Sequence, residues 1–154
     1  AEAATEFLNQ SRIAVTGVSS KPEGHGSNAV YTRLRERGYT VFAVNPNATE
    51  VEGDATYPDL ASIPGGVDAV VIATSAAHAP GTMREAADMG IRYVWMHRSF
   101  GAGSVSEDAT RIGRDAGILV IDGGCPLMFG KASDGGHRMM CRMMKLTGKV
   151  PREV

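Results

Sequence analysis

The residues best suited to chemistry sit in one early run, Gly17-Val18-Ser19-Ser20-Lys21, continued through Gly24, His25 and Gly26 to Ser27, Asn28 and Ala29. A β-branched stretch precedes this run and a helical pattern follows it. Glycines and hydroxyls at such a junction suit an anion. A helix N-terminus presents unpaired N–H groups and the positive end of its dipole, which together make a phosphate cradle. On this reading Gly17 permits a tight turn and Ser27 caps the helix. The amides of Ser27, Asn28 and Ala29 then face a diphosphate, with Lys21 and His25 nearby. Glycine-rich loops also serve simply as turns, so the loop alone does not name a ligand.

A dinucleotide fingerprint would read G-x-G-x-x-G directly after the strand and place a carboxylate at the end of the second strand, where it grips the ribose diol. Gly24 and Gly26 stand two apart but lie well beyond the strand, and the second strand closes in Val44-Asn45-Pro46-Asn47 without a carboxylate. This argues against a nicotinamide dinucleotide and favours a phosphorylated or differently oriented adenosine.

The remaining reactive residues carry weaker signals. His25, His78, His97 and His137 lack a ligand spacing such as H-x-x-x-H, so no metal site is expected. His97 follows a strand at the ligand edge, where it can hydrogen-bond a phosphate or amide of the ligand or be satisfied by backbone. Cys125 and Cys141 have no paired spacing, are too few for a disulfide framework and are expected to be reduced. Cys125 stands just beyond the last strand, either at the ligand edge of the sheet or as a small buried packing residue. No catalytic residue emerges.

Strand and helix patterns alternate along the chain and must position these groups. Six strands are expected: Arg12–Thr16, Thr40–Val44, Ala55–Tyr57, Val67–Ala73, Tyr93–Met96 and Ile118–Ile121. Between them lie helical patterns over Ala29–Arg37, Pro80–Met89 and Ser106–Ala116, the last with Ser106 as N-cap and two acids in its first turn. Right-handed crossovers arrange such strands as a doubly wound, Rossmann-like α/β parallel sheet of order 3-2-1-4-5-6. The ligand crevice then opens where the first and fourth strands diverge, and the loops after Thr16, Val44 and Ala73 converge there. Trp95 reads as core. Residues 1–154 read as a single domain, with a leading helix or tail in 1–10 and a C-terminal helix over 134–147. The methionines of that last helix pack the core or a homodimer contact.

Charge narrows the function. With 16 basic and 17 acidic residues, a net charge of -1 and 43% hydrophobic content, the chain can bury a core but projects no field that would draw nucleic acid or anionic lipid. Neither a leader pattern nor a membrane-length apolar run appears, so a cytoplasmic protein with a small-molecule partner is expected.

Five segments in order, IAVTGVSSKP (13–22), RGYTVFAVNPN (37–47), YPDLASIPGGVDAVVIAT (57–74), YVWM (93–96) and GILVIDGGCP (117–126), span nearly the whole chain. In them the sequence resembles the coenzyme A-binding domain family, which includes small stand-alone proteins and the N-terminal domain of succinyl-CoA synthetase α subunits. The resemblance implies a site for coenzyme A or an acyl-CoA at Gly17, Ser19, Ser27, Asn45, Pro46, Ala73 and Thr74. Val18, Ser20, Lys21, Asn28, Asn47 and His97 complete the candidate set. Ala29 and Asn47 stand where many relatives carry basic residues, and Lys21, His25 and Arg33 are the available substitutes. Synthetases of this family use a phosphorylated histidine in a following domain, so this chain is expected to be a non-enzymatic carrier, sensor or accessory module. The alternatives are a subunit or remnant of an acyl-CoA synthetase and an NAD(P)-binding, oxidoreductase-like domain.

Overall fold

The computed structural model describes residues 2–21, 26–98 and 103–128. In chain order the elements are α1 (Glu2–Leu8), β1 (Arg12–Thr16), α2 (Gly26–Glu36), β2 (Thr40–Val44), β3 (Glu50–Val51), β4 (Asp54–Tyr57), β5 (Ala69–Ile72), α3 (Ala79–Asp88), β6 (Tyr93–Met96), α4 (Glu107–Asp115) and β7 (Leu119–Asp122). Short 3-10 turns at Ala76–His78 and Pro126–Met128 flank α3 and follow β7.

The sheet runs β3-β4-β2-β1-β5-β6-β7. With β4 as the third expected strand, this is the 3-2-1-4-5-6 order of the sequence reading plus one edge strand. All pairings are parallel except β3 with β4. At the centre Val15 of β1 lies between Ala43 of β2 and Val71 of β5. All four β5 residues are buried, as expected of a strand covered on both faces.

Side-chain alternation divides the interior into two layers. Ile13, Val15, Val71 and Trp95 face α1 and α2, where they meet Phe7, Val30, Tyr31 and Leu34. Ala14, Val70, Val94 and Val120 face α3 and α4 and pack with Met83 and Ala109. The second layer is tight: a Cβ added at Gly113 of α4 would stand 2.6 Å from Val120 Cγ2 and 2.7 Å from Met83 Sδ. Trp95 is fully buried, as its apolar strand implied.

Helix starts show where local reading works and where it fails. Ser106 caps α4 as expected, its Oγ accepting from the Ala109 N–H at 3.2 Å, with Glu107 and Asp108 in the first turn. By contrast α2 begins at Gly26, ahead of the expected Ala29. Ser27 therefore lies inside the helix, and its hydroxyl donates to the Gly17 carbonyl at 2.9 Å instead of capping. The leading helix expected within 1–10 is Glu2–Leu8, and Phe7 with the small Ala3 and Ala4 docks it on the sheet. The expected helix over 134–147 falls outside the described residues. Among those residues no helix is long and apolar enough to cross a membrane.

Candidate functional site

The chain leaves β1 toward one side of the sheet and β5 toward the other, so the loops after these neighbouring strands border a crevice at the strands' C-terminal ends. Gly17 is the pivot. Its φ is +76°, and a Cβ there would come within 2.8 Å of the Ala73 carbonyl oxygen and 3.0 Å of the Thr74 nitrogen. Only glycine combines that conformation with such close backbone approach. The two loops are tied further by the Ala73 N–H, which donates to Thr16 Oγ1 at 3.1 Å.

Two cavities meet at this junction, and Gly17 and Thr74 line both. The larger, about 510 Å³, extends over the end of β2 at Asn45, Pro46 and Asn47 to a far wall of Asp59, His78 and Glu85. The smaller, about 290 Å³, is bounded by Gly26 and Ser27 at the start of α2, by Ala73 and Ser75 after β5, and by His97 and Ser104.

Among the described residues, Thr74 Oγ1 is the one buried side-chain polar atom without a hydrogen-bond partner. Its neighbourhood is otherwise well connected. The Thr74 carbonyl accepts from the Ser104 hydroxyl, and the His97 carbonyl accepts from the Ser104 N–H at 2.9 Å.

The loop after β1 is held from beneath by Asn28, which is only 3% exposed. Its Oδ1 accepts from the Ser19 N–H at 2.8 Å, and its Nδ2 donates to the Ser19 carbonyl at 2.8 Å and to Glu52 Oε1 at 3.0 Å. Glu52, in the β3–β4 turn, has φ +48° and is the one described non-glycine residue with positive φ. The loop is also stitched to β2, because Asn45 Nδ2 donates to the Val18 carbonyl at 2.9 Å.

The expected site residues thus take different places. Gly17, Ser27, Asn45, Pro46, Asn47, Ala73, Thr74 and His97 line one cavity or both. Val18 is buried in the core and meets the loop network through its carbonyl. Asn28 and Ser19 form the supporting network, and Ser19 Oγ also accepts from the Lys21 N–H at 3.0 Å. Ser20 and Lys21 lie at the surface of the loop, Ser20 and Lys21 both being exposed. Cys125 is 2% exposed and packs in the same core layer as Trp95 and Leu127.

Sequence reasoning did not place Ser75, Ser104, Asp59, His78, Thr82 or Glu85 in the site, yet all of them line these cavities. Pro58-Asp59 directly after β4 was the available signal, since that position shares the sheet edge with Asn45. The Asp59 carboxylate accepts from the Ser62 N–H at 2.8 Å and from the Ser62 hydroxyl, and these bonds hold its carboxyl below the ordinary range. Glu85 Oε1 accepts from the Leu60 N–H at 3.0 Å. Among the described residues no three His, Cys, Asp or Glu side chains gather as a metal site would require.

A mostly parallel sheet with helices on both faces and a crevice at the divergence of its central strands defines a Rossmann-like domain. Residues 11–131 match the CoA binding domain, and the chain belongs to that family. An uncharacterized Bacillus subtilis protein, YneT, is 30% identical over 117 residues, covering 75% of this chain and 83% of that protein. Acetate–CoA ligase [ADP-forming] I of Archaeoglobus fulgidus is 37% identical over 73 residues, which is 47% of this chain and 10% of the ligase. Among solved structures, a hypothetical protein from Pyrococcus horikoshii superposes with a TM-score of 0.75 at 28% identity, covering 82% of this chain and 86% of that one.

Proposed function

We propose that this domain binds coenzyme A or an acyl-CoA without transforming it, as a carrier, sensor or accessory module. The observation that carries the reading is Thr74, which lines both cavities and whose buried hydroxyl has no partner. Burying a hydroxyl with no partner costs about 1–3 kcal/mol, so its retention in a residue that borders both cavities supports a ligand acceptor or donor that satisfies it.

Each cavity would take one part of the ligand. The larger would take the adenosine beside Asn45 and Pro46. The diphosphate would lie against Gly17 and the first turn of α2, where the helix dipole favours negative charge. The pantetheine arm, with its amides, would run past Thr74, Ser104 and His97. Bound coenzyme A would supply a thiol able to carry an acyl group, and the residues here would bind and orient it.

The similarity to an ADP-forming ligase supports a second reading, in which the domain serves as a subunit or remnant of an acyl-CoA synthetase.

Thr74→Val tests the first reading because it replaces the hydroxyl with a methyl of similar shape. Isothermal titration with coenzyme A should show roughly tenfold weaker binding, the worth of one good hydrogen bond. The unliganded variant should melt no lower than wild type, since the unsatisfied group is gone. Unchanged affinity together with a lower melting temperature would show the hydroxyl to be structural and remove the support for this site.

A further inference from the structure

The larger cavity carries a charge pattern that bears on which adenosine it accepts. Two carboxylates, Asp59 and Glu85, stand in its wall, and no lysine or arginine lines it among the described residues; His78 is the one basic group. Both carboxylates are fixed. Leu60 N–H holds Glu85, and the Ser62 N–H and hydroxyl hold Asp59, whose carboxyl stays below the usual range and is therefore ionised throughout the neutral region.

The end of β2 is where Rossmann-like domains meet the ribose of a bound nucleotide, and a phosphorylated ribose is accommodated there by a cation. Here, against the expectation of a phosphorylated adenosine, the place is neutral and its backbone donors are spent. The Asn45 N–H donates to the Tyr57 carbonyl at 2.9 Å. Pro46 has no N–H, and the Asn47 N–H donates to Asn45 Oδ1 at 2.8 Å. One hydrogen of Asn45 Nδ2 is also committed, to the Val18 carbonyl. No backbone amide of these three residues remains to cup a phosphate monoester, and the facing wall is negative.

We infer that the site discriminates against a phosphate on the ribose, so that within the coenzyme A class it prefers the form lacking the 3′-phosphate. This inference rests on the proposed binding of a pantetheine-bearing adenosine diphosphate. The diphosphate escapes the same penalty because it lies against Gly17 and the start of α2, whereas a ribose phosphate would face Asp59 and Glu85 across one cavity. A dianion beside two carboxylates at the protein surface is disfavoured by roughly tenfold in affinity at moderate salt, and raised salt screens the effect over a Debye length of about 10 Å at 0.1 M.

The test is calorimetric titration of the full chain with coenzyme A and with dephospho-coenzyme A, at low and high salt. Dephospho-coenzyme A should bind about tenfold tighter, and the gap should narrow as salt rises. Two variants report on the cause. Asn47→Lys places a cation at the exposed end of β2, and Asp59→Asn removes one negative wall group; each should shift the ratio of the two affinities toward coenzyme A. Equal affinities in wild type, tighter coenzyme A, or a ratio that neither salt nor Asn47→Lys moves would overturn the discrimination and leave the proposed function standing. Binding of neither compound would overturn both.

Discussion

Replacing Asn28 with alanine should loosen the loop after β1 by an amount the structure allows to be worked out. The side chain is 3% exposed and makes bonds of 2.8 Å to the Ser19 N–H, 2.8 Å to the Ser19 carbonyl and 3.0 Å to the Glu52 carboxylate. Two neutral hydrogen bonds contribute about 1 kcal/mol each, and one to a charged group about 1.5–3 kcal/mol. Alanine recovers about 0.5 kcal/mol of helix propensity in α2, and water re-solvates part of the half-buried Ser19. The net cost is about 2–3 kcal/mol, which for a chain of this size lowers the melting temperature by roughly 5–10 °C. Asn28→Asp keeps the shape but loses both donors and sets a second carboxylate against Glu52. It should be at least as costly at pH 7. Urea unfolding of both variants measures this. An alanine variant within about 0.5 kcal/mol of wild type, the range of ordinary surface substitutions, would refute the view that Asn28 anchors the loop.

Gly17→Ala should cost about 3 kcal/mol or more, because the new Cβ combines a positive φ with a 2.8 Å approach to the Ala73 carbonyl; a urea midpoint close to wild type would contradict this. A pH dependence is expected from Tyr31, whose hydroxyl donates to Asp54 at 2.6 Å while Arg35 pairs with the same carboxylate at 2.7 Å. Asp54 is depressed, chiefly by the tyrosine bond, so its contribution is present above about pH 4 and is lost as the pH falls through its folded value. Tyr31 is raised, first by burial and then by the Asp54 bond, so its contribution is present below about pH 10 and is lost above it. Because the Asp54 side chain is 43% exposed, solvent screening holds the effect of Tyr31→Phe to about 1 kcal/mol. The stability difference between wild type and Tyr31→Phe, followed by urea unfolding, should be flat from pH 5 to 9 and shrink at both ends. A difference that grows below pH 4 would refute it. Finally, protein incubated with ATP, coenzyme A and acetate or succinate should form no thioester by mass spectrometry, and turnover would displace the non-catalytic reading.

Much of the architecture was legible because β1, β2 and β5 through β7 are short apolar runs set between helical patterns, and crossover handedness leaves one default order. The added edge strand β3 was not legible. It is two residues long, Glu50–Val51, and exists only by pairing with β4. Ser27 was misread as a cap because serine ahead of an apolar helix usually is one, while its actual partner is Gly17, brought near by the β1–α2 crossover. The cavity residues near Asn45 and Thr74 follow from knowing the switch point. Asp59, Glu85 and Ser104 reach the same space from separate segments, and their sequence positions say nothing of the direction in which the tertiary packing aims them. Thr74 was named, but that its hydroxyl is unpartnered emerges only when every neighbour is placed.

Trp95 is the chain's single tryptophan, and its indole clamps together segments far apart along the backbone. Phe7 of α1 meets the ring edge-on, with centroids 5.4 Å apart and planes at 89°, and the indole N–H donates to the Gly123 carbonyl just past β7 at 2.9 Å. All intrinsic indole fluorescence therefore comes from one dry, hydrogen-bonded chromophore that touches the first helix and the turn after the last strand at once. Undocking either segment admits water to the ring and moves emission to longer wavelength. The protein carries an optical gauge of whether α1 and the turn after β7 are closed on the sheet, readable without any attached dye.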